Sequence, residues 1–165
     1  MILSASLTLS AASQEIAMDT RNRPATTKLY VPTENESESV SINEIDKRAV
    51  KSFNKAYGNI SGARWFRADK GYGVSFKENE IRTTIFYSKN GAEESRINYY
   101  AEEKLPVHVR TLLKSNFPDF TISHVAEVNK KEVVAHVVTL QYKNTIKKVK
   151  VIDNEWEVME TLVKN

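Results

Sequence analysis

The sequence contains no cysteine, and this absence excludes three kinds of chemistry at once. Disulfide bonds, thiol nucleophiles and thiolate metal sites all require a cysteine side chain. The absence does not locate the protein, because many exported proteins also lack disulfides.

A strong excess of charge of either sign is also missing. The chain has 24 Lys and Arg against 21 Asp and Glu, for a net charge of +3, and the two signs are mixed along its length. Proteins that bind nucleic acid typically carry a basic stripe that follows the phosphates. The sequence therefore predicts no nucleic-acid partner.

Long apolar runs are absent after the first residues. The N-terminal stretch "MILSASLTLSAASQ" is uncharged and ends in small residues, which is typical of a signal peptide, here residues 1–12 with cleavage after Ala12. No Lys or Arg precedes the apolar run, so either the true start lies upstream or the stretch is not a signal. We expect export to the periplasm or beyond, and no membrane insertion after the signal is removed.

Residues 13–40 are polar, contain two prolines and show no sustained apolar period, which predicts a flexible leader. Order is expected to begin at Ser41, which forms a capping box with Glu44. Apolar residues then recur at spacings of three and four, which predicts an amphipathic helix ending at Gly58. They are Ile42, Ile45, Ala49, Phe53, Ala56 and Tyr57.

Four short strand patterns follow this helix, at residues 60–67, 72–77, 81–87 and 93–100. The same order of elements, one helix followed by four strands, then begins again. Pro106 suits a first helical turn, and four more strand patterns follow at residues 120–128, 133–142, 145–152 and 155–162. The stretches "NKAYGNISGARWF" and "KSNFPDFTISHVA" mark the same joint twice, with Phe117 in the place of Tyr57. The chain is therefore predicted to be one α+β domain, a tandem repeat of one helix plus a four-stranded antiparallel sheet, over residues 41–103 and 104–165.

Alternation along each strand assigns side chains to the two faces of the sheet. The face under the helices is predicted to carry Ala63, Trp65, Tyr72, Val74, Phe76, Ile85, Tyr87, Val125, Val138, Leu140, Val149 and Val151. The opposite face is predicted to carry Arg64, Phe66, Arg82, Phe86, Arg96, His124, Lys148, Trp156 and Val158.

These motifs resemble a known family. Trp65 after the first helix, the strand "YGVSF", the hairpin "YSKNG" and above all "LPVHVRTLLKSNFPDFTISHV" are similar to the exported PepSY-like family, whose fold is that of beta-lactamase-inhibitor protein. The resemblance covers roughly residues 45 to 162. It implies helices packed on one face of the sheet and a secreted or periplasmic binding module that grips a protein with the concave face.

Catalytic chemistry has little support in the sequence. His108, His124 and His136 are each isolated, without the spacing of a metal site. No Gly-x-Ser-x-Gly motif is present, and the paired acids Glu93-Glu94 and Glu102-Glu103 are adjacent rather than placed across a cleft. We therefore predict no enzyme, no catalytic residue, no metal and no cofactor.

A binding face has more support, because arginine and aromatic side chains are the types that anchor protein interfaces. The candidate binding residues are Arg64, Phe66, Arg82, Phe86, Arg96 and Trp156. The alternative is that they only pack against one another. The predicted function is an exported, monomeric inhibitor or regulator that recognises a cell-envelope protein or peptide, such as a peptidase, with the concave sheet face. The alternative function is binding of a small ligand or cell-wall fragment.

Overall fold

The computed structural model describes residues 39–164, which form nine strands and two α-helices. The strands are β1 (Ser39–Val40), β2 (Arg64–Ala68), β3 (Gly71–Glu78), β4 (Ile81–Ser88), β5 (Glu93–Tyr100), β6 (Thr121–Lys130), β7 (Val133–Tyr142), β8 (Thr145–Ile152) and β9 (Glu155–Val163). The helices are α1 (Lys47–Tyr57) and α2 (Val107–Asn116). The predicted signal peptide and nearly all of the predicted leader lie outside the described residues.

All nine strands belong to one antiparallel sheet in which spatial order follows chain order, from β1 to β9. Four strands follow each helix, and β5 pairs with β6 to join the two halves. The short strand β1 pairs with β2, so Ser39 and Val40, at the end of the predicted leader, already belong to the sheet. Within residues 39–164, no helix is long and apolar enough to cross a membrane.

The first helix begins later than the sequence predicted. The capping box of Ser41 and Glu44 is present, but it caps a 3-10 turn over Ile42–Glu44. The α-helix starts after Asp46, whose side chain accepts a hydrogen bond from the backbone N–H two residues on, at 2.8 Å. Gly58 closes the helix with a φ of 70°, in the left-handed region that glycine adopts without strain.

The start of α2 is held by Arg110. Its Nη2 donates to the backbone carbonyl oxygens of Glu102, Glu103 and Leu105, at 2.9, 3.2 and 3.1 Å. Pro106 occupies the N-cap position and makes no side-chain capping bond. The arginine therefore ties the preceding 3-10 turn to the helix and sets where α2 begins on the sheet.

Both helices pack on the same face of the sheet, called here the helix face. Under α1 the buried core contains Ile45, Ala49, Phe53, Trp65, Val74, Phe76, Ile85 and Tyr87. Under α2 it contains Tyr100, Leu105, Val109, Leu113, Ile122, Val125, Val138, Leu140, Val149 and Val151. The predicted core residues of both halves are confirmed, with Ala63 and Tyr72 packed against the first core. Ile42 and Ala56, predicted in the apolar stripe of the helix, are exposed.

Three β-bulges affect which face a side chain occupies, and one of them lies in the β6–β7 pair, where Ser123 is an extra residue between Ile122 and His124. In the β4–β5 pair, Phe86 opposes Ser95 and Tyr87 opposes Glu93, so Glu94 is an extra residue. In the β8–β9 pair, Val149 opposes Val158 and Lys148 opposes Glu160, so Met159 is extra. Each extra residue shifts the alternation along its strand by one position.

Candidate functional site

The face of the sheet opposite the helices, called here the open face, carries an aromatic pair near one end. Phe66 and Phe86 lie on this face with ring centroids 6.0 Å apart and planes nearly perpendicular. They stand on either side of Gly73, because Phe66 opposes Gly73 on β3 and Gly73 opposes Phe86 on β4. A Cβ at Gly73 would lie 2.1 Å from the Phe66 ring, so the glycine lets that ring rest on the sheet. Arg64 lies on the same face, two residues from Phe66.

A stack of three side chains lies further along the same face, four residues from Phe86 on β4. The Arg82 guanidinium lies 4.3 Å from the centroid of the Tyr99 ring, and Tyr99 stacks on His124 at 5.8 Å. Arg82 opposes Tyr99 across β4 and β5, which places both side chains on the open face. A cation–π contact of this kind holds the guanidinium in place over the ring. Tyr99 was not among the predicted residues, although pairing of residues 82 and 99 would have revealed it.

The environment of this stack shifts two pKa values. Burial raises the pKa of Tyr99 above its ordinary value, and the charge of Arg82 opposes that shift. Burial lowers the pKa of His124, and the positive charge of Arg82 lowers it further. Both effects favour the neutral form of the His124 ring beside the permanent cation of Arg82.

Arg96 was assigned to the open face, and this prediction was wrong. It opposes Ile85, which is fully buried on the helix face, so Arg96 lies on the helix face as well. Its guanidinium lies 5.5 Å from the centroid of the Tyr57 ring in α1, and Nη2 is 3.0 Å from Oε1 of Glu93. The bulge at Glu94 shifts the alternation of β5, which counting along the strand alone does not detect.

Trp156 was also assigned to the wrong face. It opposes Val151, a core residue, and its ring meets that of Phe117 edge-on at 5.0 Å, at the end of α2. Val158 opposes Val149 and lies on the helix face for the same reason. Directly opposed residues of an antiparallel pair share a face, and the two-residue turn at Asp153–Asn154 fixes this register. Four of the six predicted binding residues therefore lie on the open face: Arg64, Phe66, Arg82 and Phe86.

The middle of the open face is apolar. One row of directly opposed residues crosses from β5 to β8 and consists of Ile97, Val128, Ala135 and Ile152. The first three are buried. The aromatic and arginine side chains thus border a strip of apolar side chains that are largely buried within the chain itself.

The far end of the open face is ionic instead. Lys148 Nζ lies 2.7 Å from Oε2 of Glu160, and Lys150 Nζ lies 2.8 Å from Oε2 of Glu157. These pairs join β8 to β9 and leave little uncompensated charge at this end. The two ends of the face therefore differ in chemistry, with arginine and aromatic groups on β2–β6 and lysine–glutamate pairs on β8–β9.

An open cavity of about 480 Å³ lies beside the other edge of the sheet. Its lining includes Phe53, Asn54, Asn59, Ser61 and Trp65, and Arg64 also contributes to it. Amide, hydroxyl and aromatic groups of this kind suit a polar ligand with one apolar side. Within residues 39–164, no group of three His, Asp or Glu side chains is placed to hold a metal ion.

No protein-family model and no curated protein matches the chain. Several solved structures are similar to it, among them the following three. A DUF2874 family protein from Bacteroides ovatus is 14% identical with a TM-score of 0.61, over 72% of this chain and 87% of its own. A predicted periplasmic protein from Bacteroides eggerthii is 14% identical with a TM-score of 0.61, over 72% and 88%. A BLIP-like protein from Bacteroides fragilis is 14% identical with a TM-score of 0.57, over 72% and 86%.

The chain has a BLIP-like fold. At these identities the likeness establishes the fold alone, which agrees with the predicted α+β class and with helices on one face of an antiparallel sheet. Assignment to the PepSY-like family remains a prediction from the sequence motifs. The same holds for the signal peptide, which lies outside the described residues.

Proposed function

We propose that this chain is an exported, non-catalytic binding module that recognises a protein or peptide with its open face, as an inhibitor or regulator of a cell-envelope enzyme such as a peptidase. The observation that carries the proposal is the cluster of Arg64, Phe66, Arg82, Phe86 and Tyr99 on the face that neither helix covers. A tandem origin of the two helix-plus-four-strand halves is part of the same proposal.

The composition of the cluster supports a protein partner. Arginine and aromatic side chains dominate the residues that contribute most to protein–protein binding, because aromatic rings bury much area with few rotatable bonds and a guanidinium donates several hydrogen bonds. Here the rings and one guanidinium are also held by neighbours, Phe66 by Phe86 and Arg82 by Tyr99. Side chains that are already ordered lose less entropy on binding.

Location and fold support the same reading. The N-terminal stretch is typical of a signal peptide, one structural neighbour is a predicted periplasmic protein, and another is described as BLIP-like. Export would place the open face in the cell envelope, where the proposed partner would be met. The partner itself is identified only by chemistry, as a surface with acidic and apolar groups that complement Arg64, Arg82 and the Phe66–Phe86 pair.

The test is capture of a partner from cell-envelope extract, followed by measurement of its affinity for variants. The double variant Phe66→Ala/Phe86→Ala should lose between about thirtyfold and a thousandfold in affinity, because each anchor residue at an interface centre contributes about 2 kcal/mol. Arg96→Ala and Trp156→Ala are the matched controls, because these residues lie on the helix face. If the controls weaken binding and the open-face variant does not, the assignment of the face is wrong.

The second candidate function is binding of a small ligand or cell-wall fragment, and the cavity lined by Asn54, Asn59 and Trp65 favours it. A ligand that binds only the folded state raises the melting temperature. Thermal shift with soluble glycan and peptide fragments should then stabilise the native chain but not an Asn59→Leu variant. No shift with any fragment would remove this alternative.

A further inference from the structure

The last strand has an exposed outer edge. β9 lies at one end of the strand order, and no other strand of residues 39–164 pairs with that edge. Leu162 and Val163 near its end are 46% and 67% exposed. In the first half the fourth strand, β5, is not an edge, because β6 pairs with it along residues 96–100. An unpaired edge with apolar side chains readily accepts another strand.

The bulge at Met159 limits where such pairing can occur. Before it, the strand offers Glu155, Trp156, Glu157 and Val158, and after it comes a regular segment beginning at Glu160. That segment continues to Lys164, whose backbone N–H donates to the carbonyl of Asn144 at 2.8 Å. Regular ladder pairing on the outer edge is therefore possible over residues 160–164.

A second copy of this chain can supply the complementary strand. In an antiparallel pair related by a twofold axis, residues equally far from the centre oppose each other and share a face. Centred on Leu162, the register places leucine against leucine, Thr161 against Val163, and Glu160 against Lys164. Centred on Glu157, it would place like charges in direct opposition. The segment is thus self-complementary in only one of these registers.

We propose that two copies of the chain associate by antiparallel pairing of their β9 edges, with the twofold axis at Leu162. Ile146 opposes Leu162 within each chain, so the two copies would bring four apolar side chains together on the open face. Oε2 of Glu160 is bound to Lys148 of its own chain. The other carboxylate oxygen, Oε1, can therefore accept a hydrogen bond from the Lys164 ammonium of the second copy.

The contact is short, so it forms at high protein concentration and dissociates on dilution. Five residue pairs bury much less area than the roughly 1,200–2,000 Å² of a stable interface. The sequence predicted a monomer. We expect a monomer in dilute solution and a dimer in concentrated solution. It uses the edge of the sheet and leaves the Phe66–Phe86 region of the open face uncovered.

Sedimentation equilibrium of the full 165-residue chain tests the proposal at concentrations up to about 1 mM. The average mass should rise from monomer toward dimer as concentration increases. Leu162→Lys should abolish the rise, because it would place two lysines face to face. The control Val134→Lys changes an equally exposed valine on β7 and should leave association unchanged.

A charge exchange tests the register itself. Lys164→Glu should weaken association at least tenfold by opposing Glu160 with a second glutamate. In a Lys148→Glu background, which keeps an ion pair at this position within each chain, the double variant Glu160→Lys/Lys164→Glu should restore it, because acid and base again oppose each other. A misfolded variant cannot produce this recovery. A chain that stays monomeric at about 1 mM, or a double variant no better than Lys164→Glu, would overturn the proposal.

Discussion

His136 lies directly opposite Glu127 in the β6–β7 ladder, and its Nε2 is 3.6 Å from Oε2 of the carboxylate. Glu127 also accepts hydrogen bonds from Asn98 Nδ2 at 3.2 Å, Asn129 Nδ2 at 2.9 Å and the Tyr100 hydroxyl at 2.7 Å. This polar cluster lies on the helix face, where β5 and β6 connect the core under α1 with the core under α2. One carboxylate thus joins three strands across the middle of the sheet.

The cluster makes stability depend on pH. His136 and the donors from Asn129, Tyr100 and Asn98 lower the pKa of Glu127 to about 2, against the opposing effect of burial. Because this pKa is below the ordinary value of 4.5, the stabilisation is complete above about pH 4.5 and is lost as the pH falls through about 2. Glu127→Gln should therefore be less stable than the native chain at neutral pH, and the gap should close in acid.

Urea unfolding over a pH series measures this gap. The exposed residue Glu132 provides the control, because Glu132→Gln should follow the native chain at every pH. A gap between native and Glu127→Gln that stays constant from pH 4.5 to pH 2 would show that the carboxylate is not stabilised by its donors.

The helices, the strands and the side chains of the helix face could be predicted from the sequence. Each of them depends only on the pattern of apolar residues within one segment. The spacing of Ala49 and Phe53 reports one side of a helix, and alternation through Val74 and Phe76 reports one side of a strand. Both patterns survive in the structure because the helix packs on those same side chains. Local periodicity was therefore enough for the core.

The site was predicted less completely because the face of a residue near a turn or bulge depends on its neighbour in space. Arg96 and Trp156 each follow such a point, and each was placed on the wrong face. The two-residue turn at Asp153–Asn154 could have revealed the correct face of Trp156. Such a turn pairs Val151 with Trp156, and directly opposed residues share a face. The extra residue at Glu94 left no comparable trace in the sequence. Glu127 drew no attention because its four partners come from three different strands.

Two glycines of β3 should respond differently to alanine. A Cβ at Gly71 would lie 2.0 Å from the backbone oxygen of Tyr87, whereas the atoms nearest to a Cβ at Gly73 belong to the Phe66 ring. Backbone cannot yield without disturbing the β3–β4 ladder, but a half-exposed ring can turn away. Gly71→Ala should cost about 1–3 kcal/mol of the free energy of unfolding, the range seen for overpacking.

Gly73→Ala should cost less than Gly71→Ala but should displace Phe66 from Phe86. Losing an aromatic pair costs about 0.5–1.5 kcal/mol, and the gain in strand propensity over glycine offsets part of it. Urea unfolding gives the two costs, and NMR ring-current shifts of Phe86 report the displacement. Equal costs for both variants, with unchanged Phe86 shifts, would contradict the glycine geometry.

Arg96 and Trp156 should contribute to stability rather than to binding on the open face. Arg96→Ala removes the contact with the Tyr57 ring and the ion pair with Glu93, and should cost about 1 kcal/mol because the side chain is partly exposed. Trp156→Ala removes the edge contact with Phe117 and should cost about 1–2 kcal/mol. Urea unfolding measures both costs. Phe86→Ala, which removes a half-exposed aromatic ring from the open face, is the comparison variant. A Trp156→Ala chain as stable as the native chain would refute the packing role of Trp156.

The two hydrophobic cores should unfold together. Phe53 is 3% exposed, and its ring centroid lies 5.5 Å from that of Trp65 and 5.6 Å from that of Phe76. Phe53→Ala should therefore lower the free energy of unfolding by about 3–5 kcal/mol. Leu113 is 1% exposed in the other core, and Leu113→Ala should cost about 2–5 kcal/mol. Val107→Ala, at a helix position that is 74% exposed, should change stability by less than about 0.5 kcal/mol.

Cooperation between the cores follows from how they are joined. Residues 96–100 of β5 pair continuously with residues 125–129 of β6, and Glu127 adds side-chain bonds to Asn98 and Tyr100 across that ladder. Opening one core would expose this ladder and leave the carboxylate without its donors. Both core variants should therefore shift one shared transition, seen alike by far-UV circular dichroism and, in a Trp156→Phe background, by the fluorescence of Trp65. A Leu113→Ala chain that loses circular dichroism while Trp65 stays buried would instead mean that the halves unfold separately.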